Sequence, residues 1–339
     1  MNILPLNLNK VLIFLGIVVF GFIVVFLFWW NNEFEIDNGL KIIKEEESPK
    51  SSIAGLECLN FDRRPMAVMI SSDVETRPLS GIGQADLVFE MPVAPNGITR
   101  LMAVFQCEDP PEIGSVRSSR EDFIPLAASL GSIYAHWGGE KEALKKLDNG
   151  IMDNVDALRY EGTVFYRKPK IKAPHNGFTS MSFLWGKASD LDYDRKDDFT
   201  GYKRQKNAPK KNLSNLVDSV IVDYPAPYNV LWTYDQESND YSRFRAGTPE
   251  IDKNFNSQIK AKVVIVMDTT SRILNSDYIR IDVQGEGDVR IFQNGTAING
   301  KWKKDPLTVE SKLLFYHESG EEIEFASGKI WVEIMSTKK

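Results

Sequence analysis

The sequence predicts an α/β N-terminal domain followed by a β-rich, antiparallel C-terminal domain of α+β type, with a transmembrane helix ahead of both. Three observations carry this reading. The stretch Val11–Trp30 contains no charged residue. From Ile53 to residue 205, short apolar runs alternate with helical patterns, as in α/β domains. From residue 206 to 339, strand-like runs are separated by turn dipeptides such as Asn294-Gly295, Ser319-Gly320 and Ser327-Gly328.

The N-terminal run sets the expected location. At about 1.5 Å per residue, a helix over 11–30 spans roughly 30 Å, the thickness of a bilayer's hydrocarbon core. It shows no polar stripe, and Trp29 and Trp30 mark one end as an interfacial belt. Lys10 precedes it, and Glu33, Glu35 and Asp37 follow, so residues 1–10 form a cytoplasmic tip and the bulk lies outside the cell membrane as a single-pass protein. A cleaved signal peptide has a shorter apolar region and a small-residue cleavage site, and Trp-Trp-Asn-Asn-Glu-Phe supplies none. Residues 31–52 are polar, include Glu45-Glu46-Glu47, and read as a flexible stalk.

The remainder is long enough for two cores, 53–205 and 206–339. A formal net charge of −6 argues against general nucleic-acid binding and requires any anion site to be local. The chain has two cysteines, Cys58 and Cys107. Export favours a disulfide between them, with two buried thiols as the alternative; neither a CxxC pair nor an H-E-x-x-H motif points to a metal. No cofactor is implied.

In the first domain, Met66–Ile70, Leu87–Met91, Leu101–Phe105 and Ile133–His136 read as buried strands. Ser118-x-x-Glu121 is a capping-box pattern for a helix from Ser119 to Leu130, although Pro125 interrupts it. Glu140–Leu147 is a second helix, with Ala143, Leu144 and Leu147 on one face and a Glu142–Lys146 pair. Lys187–Asn215 is polar and reads as an interdomain segment. In the second domain, Tyr228–Tyr234, Ala261–Met267 and Val289–Gln293 are strands. Asn299-Gly300 adds a turn signal, and Leu313–His317, Glu322–Phe325 and Lys329–Ile334 form a meander. Gly285-Glu-Gly-Asp288 reads as a turn.

Polar chemistry concentrates between Thr99 and Ser180. Arg117 and Arg120 are three apart, so a helix start there would put both guanidiniums and free backbone N–H groups on one anion. Arg100 follows at a strand start, and Arg167 lies in Phe165-Tyr-Arg167. His136, Glu140, His175 and Asn176 would shape such a site. Salt bridges to Glu90, Glu121, Asp122 or Glu140 are the competing use of these arginines. Phe165, Tyr166 and Trp137 are candidates for stacking on sugar rings or for buried packing. No G-x-S-x-G or S-x-x-K supports a serine nucleophile.

Several ordered blocks resemble the YerB-like family of bacterial cell-envelope proteins. They are Arg64–Ile70, Gly81–Asp86, Phe89–Pro92, Gly97–Arg100, Ile113–Arg120, His136–Gly139 and Pro174–Asn176, then Trp232–Asp235, Tyr241–Arg243 and Gly300–Trp302. The resemblance implies two domains of unknown function, often on a lipid anchor. This chain lacks a lipid-acceptor cysteine after its apolar run, so a helix would replace the lipid. The order of strand, arginine loop, helix and Gly-Gly turn over Ile98–Leu147 is also similar to the LytR-CpsA-Psr enzymes, whose arginines hold a pyrophosphate. The expected function is a membrane-anchored extracytoplasmic protein binding an anionic envelope polymer or its precursor. A phosphate-handling transferase or hydrolase, and a scaffold for envelope protein partners, are the alternatives.

Overall fold

The computed structural model describes residues 48–206 and 216–338, together with Ile23. Apart from Ile23, the predicted tip, the anchor over 11–30 and residues 31–47 of the stalk lie outside the described residues. Among the described residues, no helix is long and apolar enough to cross a membrane.

The core is one mixed sheet to which both halves of the sequence contribute. Its first five strands are β1 (Met66–Ser71), β2 (Leu87–Pro92), β3 (Thr99–Phe105), β4 (Ile133–His136) and β5 (Asn154–Asp156). A smaller sheet contains β6 (Ser219–Val222), β7 (Val230–Asp235) and β8 (Asp240–Arg245). The main sheet continues through β9 (Val263–Ile273), β10 (Gly285–Gln293), β11 (Thr296–Lys304), β12 (Leu314–His317) and β13 (Ile330–Lys338). The order across it is β12-β11-β10-β9-β13-β2-β3-β1-β4-β5, with Ile279–Ile281 pairing on β9. The last strand, β13, lies between β9 and β2 and runs parallel to both.

Burial explains why the strands are apolar throughout. Every residue of β1 and β3 is buried. Ala67 and Met69 face a layer containing Phe123, Leu126, Trp302 and Phe315. Met66, Val68 and Ile70 face a second layer with Leu184, Trp185, Val220 and Trp232. A sheet covered on both faces needs no polar alternation. Described helices are few and short: α1 (Phe123–Ala128), α2 (Lys141–Asp148), α3 (Ala157–Tyr160) and α4 (Met181–Asp190).

Several expectations need correction. The helix expected from Ser119 begins at Phe123, with Asp122 as its N-cap and no side-chain cap, so the capping box is not formed. Pro125 falls in the first helical turn, where no intrahelical N–H bond is lost. The expected meander is broken: Glu322–Phe325 makes only isolated bridges, and β13 instead crosses to the centre of the sheet. Asn299-Gly300 lies inside β11, because the Gly300 backbone approaches the neighbouring strand so closely that a Cβ would sit 2.0 Å from the Tyr316 carbonyl oxygen. Gly285–Asp288 likewise begins β10 rather than making a turn. Asn294-Gly295 does make the β10–β11 turn, with φ of 54° and 71°. Within the expected interdomain segment, Phe199 and Tyr202 are buried, and Tyr202 packs 5.4 Å from Phe325.

Candidate functional site

The candidate site forms where β1 and β4, which run parallel, end together. Ligands of open α/β sheets bind outside such carboxyl ends. Beyond β1 comes Ser72-Asp73, and beyond β4 comes Trp137-Gly138-Gly139. The segment 117–120 runs between them in extended form. Arg117 N donates to Met69 O (2.9 Å), Trp137 N to Arg117 O (3.0 Å) and Ser119 N to Gly138 O (2.9 Å). Gly138 adopts φ +60°, where a Cβ would meet Leu158 Cδ1 at 2.9 Å. This backbone ribbon is why Arg117 and Arg120 do not share a helix face, and it corrects that premise of the sequence reading.

Arg100, Arg117 and Arg120 form the cluster. Arg100 is 3% exposed and projects from β3. Each guanidinium is tethered through Nη1 to a backbone carbonyl: Arg100 to Ser118 (3.0 Å), Arg117 to Pro174 (3.3 Å) and Arg120 to Ser119 (3.1 Å). The Nε atoms of all three are buried and have no hydrogen-bond partner. Arg117 Nη2 lies 3.5 Å from Asp73 Oδ2, and Arg120 lies over the Tyr278 ring at 4.8 Å. Burial pushes Arg100 down to about 9, and the neighbouring charges of Arg120 and Arg117 add to the shift, while Asp73 opposes it. Burial lowers Arg117 too, with Asp73 opposing and Arg120 reinforcing.

His175 faces the same carboxylate, its Nδ1 3.7 Å from Asp73 Oδ2 and without a hydrogen bond. Asp73 was not among the sequence candidates. It is held by Ser71, whose Oγ donates to Oδ2 (2.5 Å) and accepts from Asp73 N (3.1 Å).

The other candidates serve neighbouring structure. His136 is fully buried, its Nδ1 2.8 Å from Gly138 O, and burial lowers its pKa. It therefore braces the Gly-Gly turn as a neutral ring. Glu140 caps α2 in position, accepts from Glu121 N (2.8 Å) and faces Arg280 (3.7 Å). Arg167 is bidentate to Glu161 (2.6 and 3.2 Å), bonded to Asn176 Oδ1 (2.9 Å), and stacked 4.3 Å over Trp137. Arg167 and Asn176 thus form a second, charge-paired cluster. The expected Glu142–Lys146 pair is replaced by Lys146–Glu121 at 2.6 Å. Cys58 and Cys107 are joined in a disulfide, with Cα atoms 5.7 Å apart.

A buried ionic network between the two sheets also escaped the sequence reading. Glu90 of β2 and Glu333 of β13 lie in register. Arg243 of β8 bonds Glu90, Glu333 and Glu250. Arg245 bonds Glu90 (2.6 Å) and Glu250 (3.0 Å). Single glutamates inside apolar strand runs were the available signal, since a buried charge demands a partner. A cavity of about 660 Å³ opens elsewhere, lined among others by Asp268, Glu286, Asp288 and Trp302; none of the candidate ligand-binding residues lines it.

Comparison with known proteins agrees with this architecture. Residues 54–194 match the N-terminal domain, and 220–332 the C-terminal domain, of a protein family of unknown function, DUF3048. The chain belongs to that family. It is 30% identical over 279 residues to YerB of Bacillus subtilis (strain 168), a protein whose name provisionally classes it as a lipoprotein; the match covers 81% of this chain and 82% of YerB. The crystal structure of B. subtilis YerB superposes with a TM-score of 0.76 at 29% identity, covering 84% of this chain and 96% of that one. The YerB-like fold is therefore shown for both halves, mostly strands with few helices.

Proposed function

We propose that this YerB-like protein is a membrane-anchored, extracytoplasmic protein of the cell envelope that holds an anionic envelope polymer or its precursor through Arg100, Arg117 and Arg120. One observation carries the reading: three guanidiniums are fixed by backbone carbonyls while their buried Nε donors remain unpaired. Buried donors without acceptors are costly, and an oxyanion supplies the missing acceptors through charge-assisted bonds. The charge-free run over 11–30 and the lipoprotein classification of YerB support the location.

The test is thermal denaturation of the full chain in detergent, against inorganic phosphate, diphosphate and envelope glycan fragments. A ligand at about a hundredfold its Kd stabilises the folded state by about 2.7 kcal/mol. The reading expects a shift with at least one phosphorylated ligand, abolished in Arg117→Ala/Arg120→Ala. A shift retained in a folded double variant would place binding elsewhere.

A further inference from the structure

A pocket of about 320 Å³ opens between residues 77–79 of the N-terminal half and residues 248–251 of the C-terminal half. Arg100, Arg117 and Arg120 do not line it, so it is a feature separate from the arginine cluster. The two halves are fixed to each other beside it: Lys253 N donates to Leu79 O (2.8 Å), and Gly83 N to Asp252 Oδ2 (2.8 Å). The pocket is therefore formed before any ligand arrives. Pro78, Leu79, Pro249 and Ile251 make its apolar wall. Small-molecule sites span roughly 300–1,000 Å³, so this one suits a single compact apolar group rather than a long chain.

Its polar side is a guanidinium. Arg77 is half-buried and spends three of the five N–H donors of its fork, all on backbone carbonyls. Nε and Nη2 donate to Ser72 O (3.2 and 2.8 Å), and Nη1 donates to Pro227 O (3.2 Å). The fork lies over the Tyr228 ring at 5.5 Å. Among the described residues, no carboxylate pairs with it. Arg245 also lines the pocket, but its Nε bonds both oxygens of Glu250 (3.0 and 3.1 Å), and Arg243 adds a bond to Glu250 at 2.6 Å. Burial lowers the pKa of Arg77 and Arg245 reinforces the fall, while Glu250 and Glu90 oppose it without reversing it. Arg77 is thus a cation held by carbonyl dipoles beside an apolar wall, with an N–H on each terminal nitrogen still unspent.

We propose that this pocket binds a carboxylate carried on a compact, branched apolar group, with the carboxylate on the terminal nitrogens of Arg77 and the apolar group against Leu79, Pro249 and Ile251. A peptide ending in a leucine-like residue and a short branched acid present this same chemistry. The carboxylate bonds are charge-assisted and directional, so they orient the ligand. The apolar wall adds burial, which has no direction of its own. A neutral amide of the same shape keeps the burial and loses the charge-assisted bonds. Acetate keeps the charge and loses the burial.

The test is a methyl-NMR titration of the full chain in detergent, labelled at the isoleucine methyl groups and read at Ile251. The probes are N-acetyl-leucine, isocaproate, N-acetyl-leucinamide and acetate. At least one of the first two is expected to shift the Ile251 signal saturably and to bind about tenfold or more tightly than the amide and acetate, the scale of one charge-assisted bond. N-acetyl-leucine binding more tightly than isocaproate identifies a peptide C-terminus as the source, and the reverse order identifies a free acid. Arg77→Gln is expected to erase the preference for the acid over the amide. Because Arg77 also ties Ser72 to Pro227, a second variant leaves it in place. Asn256 is exposed and lines the same pocket, and Asn256→Asp adds a carboxylate without changing the side-chain shape. It is expected to weaken the acids and leave the amide unchanged. The amide binding as tightly as its acid, an Ile251 signal unmoved by either branched acid, or acid affinity unchanged in both folded variants would each overturn the proposal.

Discussion

Replacing Arg243 with methionine tests the network that joins the two sheets. Arg243 is fully buried and bonds three carboxylates, and its guanidinium lies 4.0 Å from the Trp331 ring centroid. Arg243→Met fills much of the volume but leaves Glu90 and Glu250 with Arg245 as their arginine partner, and Glu333 with the Trp232 indole N–H (3.0 Å) and no ion-pair partner within bonding reach. Removing one partner of a buried ionic cluster costs about 3–5 kcal/mol, which lowers the melting temperature by roughly 6–20 °C for a domain this large. The three acids should not respond alike. Burial alone would raise Glu250, but Arg245 and Arg243 outweigh it and hold the carboxyl down to about 2. Its contribution is complete above the unfolded value of about 4.3 and is lost as pH falls toward 2. Glu333 shifts the other way: burial raises it, Glu90 adds to the rise, and Arg243 only partly offsets both. Its Oε2 has no hydrogen-bond partner. A raised carboxyl makes the folded state bind more protons than the unfolded one, so stability falls as pH climbs through that window. Glu333→Gln is therefore expected to be neutral or stabilising at pH ~7, while Glu250→Gln costs about 3–5 kcal/mol. Thermal melts of the three variants at neutral pH provide the assay. Equal losses for Glu333→Gln and Glu250→Gln would refute the assignment of charge within the network.

Three further outcomes follow from other parts of the molecule. The Cys58–Cys107 bridge spans 49 residues, so reducing it, or replacing both cysteines by alanine, should cost about 4 kcal/mol in the chain-entropy model; an unchanged urea midpoint would argue against that contribution. Gly300→Ala places a Cβ 2.0 Å from the Tyr316 carbonyl, and an overpacking cost of about 1–3 kcal/mol should appear as a lower melting temperature. Arg100→Ala removes one of the three guanidiniums tethered beside Asp73 and should weaken anion binding; unchanged affinity in a folded variant would contradict the role given to Arg100.

The sequence made the strands legible because both faces of the main sheet are buried. Runs such as Met66–Ile70 and Ile133–His136 have no competing helical period, and their observed bounds agree closely. Connectivity was less legible. Nothing local in Lys329–Ile334 announces that it pairs with Leu87–Glu90, because parallel pairing leaves no turn signature. The arginines were visible as residue types, and their chemistry was sensed through a helix start that does not exist. Their actual placement comes from a ribbon against Gly138-Gly139, a long-range backbone contact. Asp73 was missed because one aspartate after a strand looks like an ordinary turn residue. Phe199 and Tyr202 were missed because the polar segment around them masks two buried aromatics.

The most direct measurement is a crystal structure of the protein grown with tungstate, an anomalous scatterer and tetrahedral dianion like phosphate. The account predicts the strongest anomalous peak within hydrogen-bonding reach of the Nε atoms of Arg100, Arg117 and Arg120, beside Asp73. A peak elsewhere, with those three guanidiniums still held only by their backbone carbonyls, would contradict it.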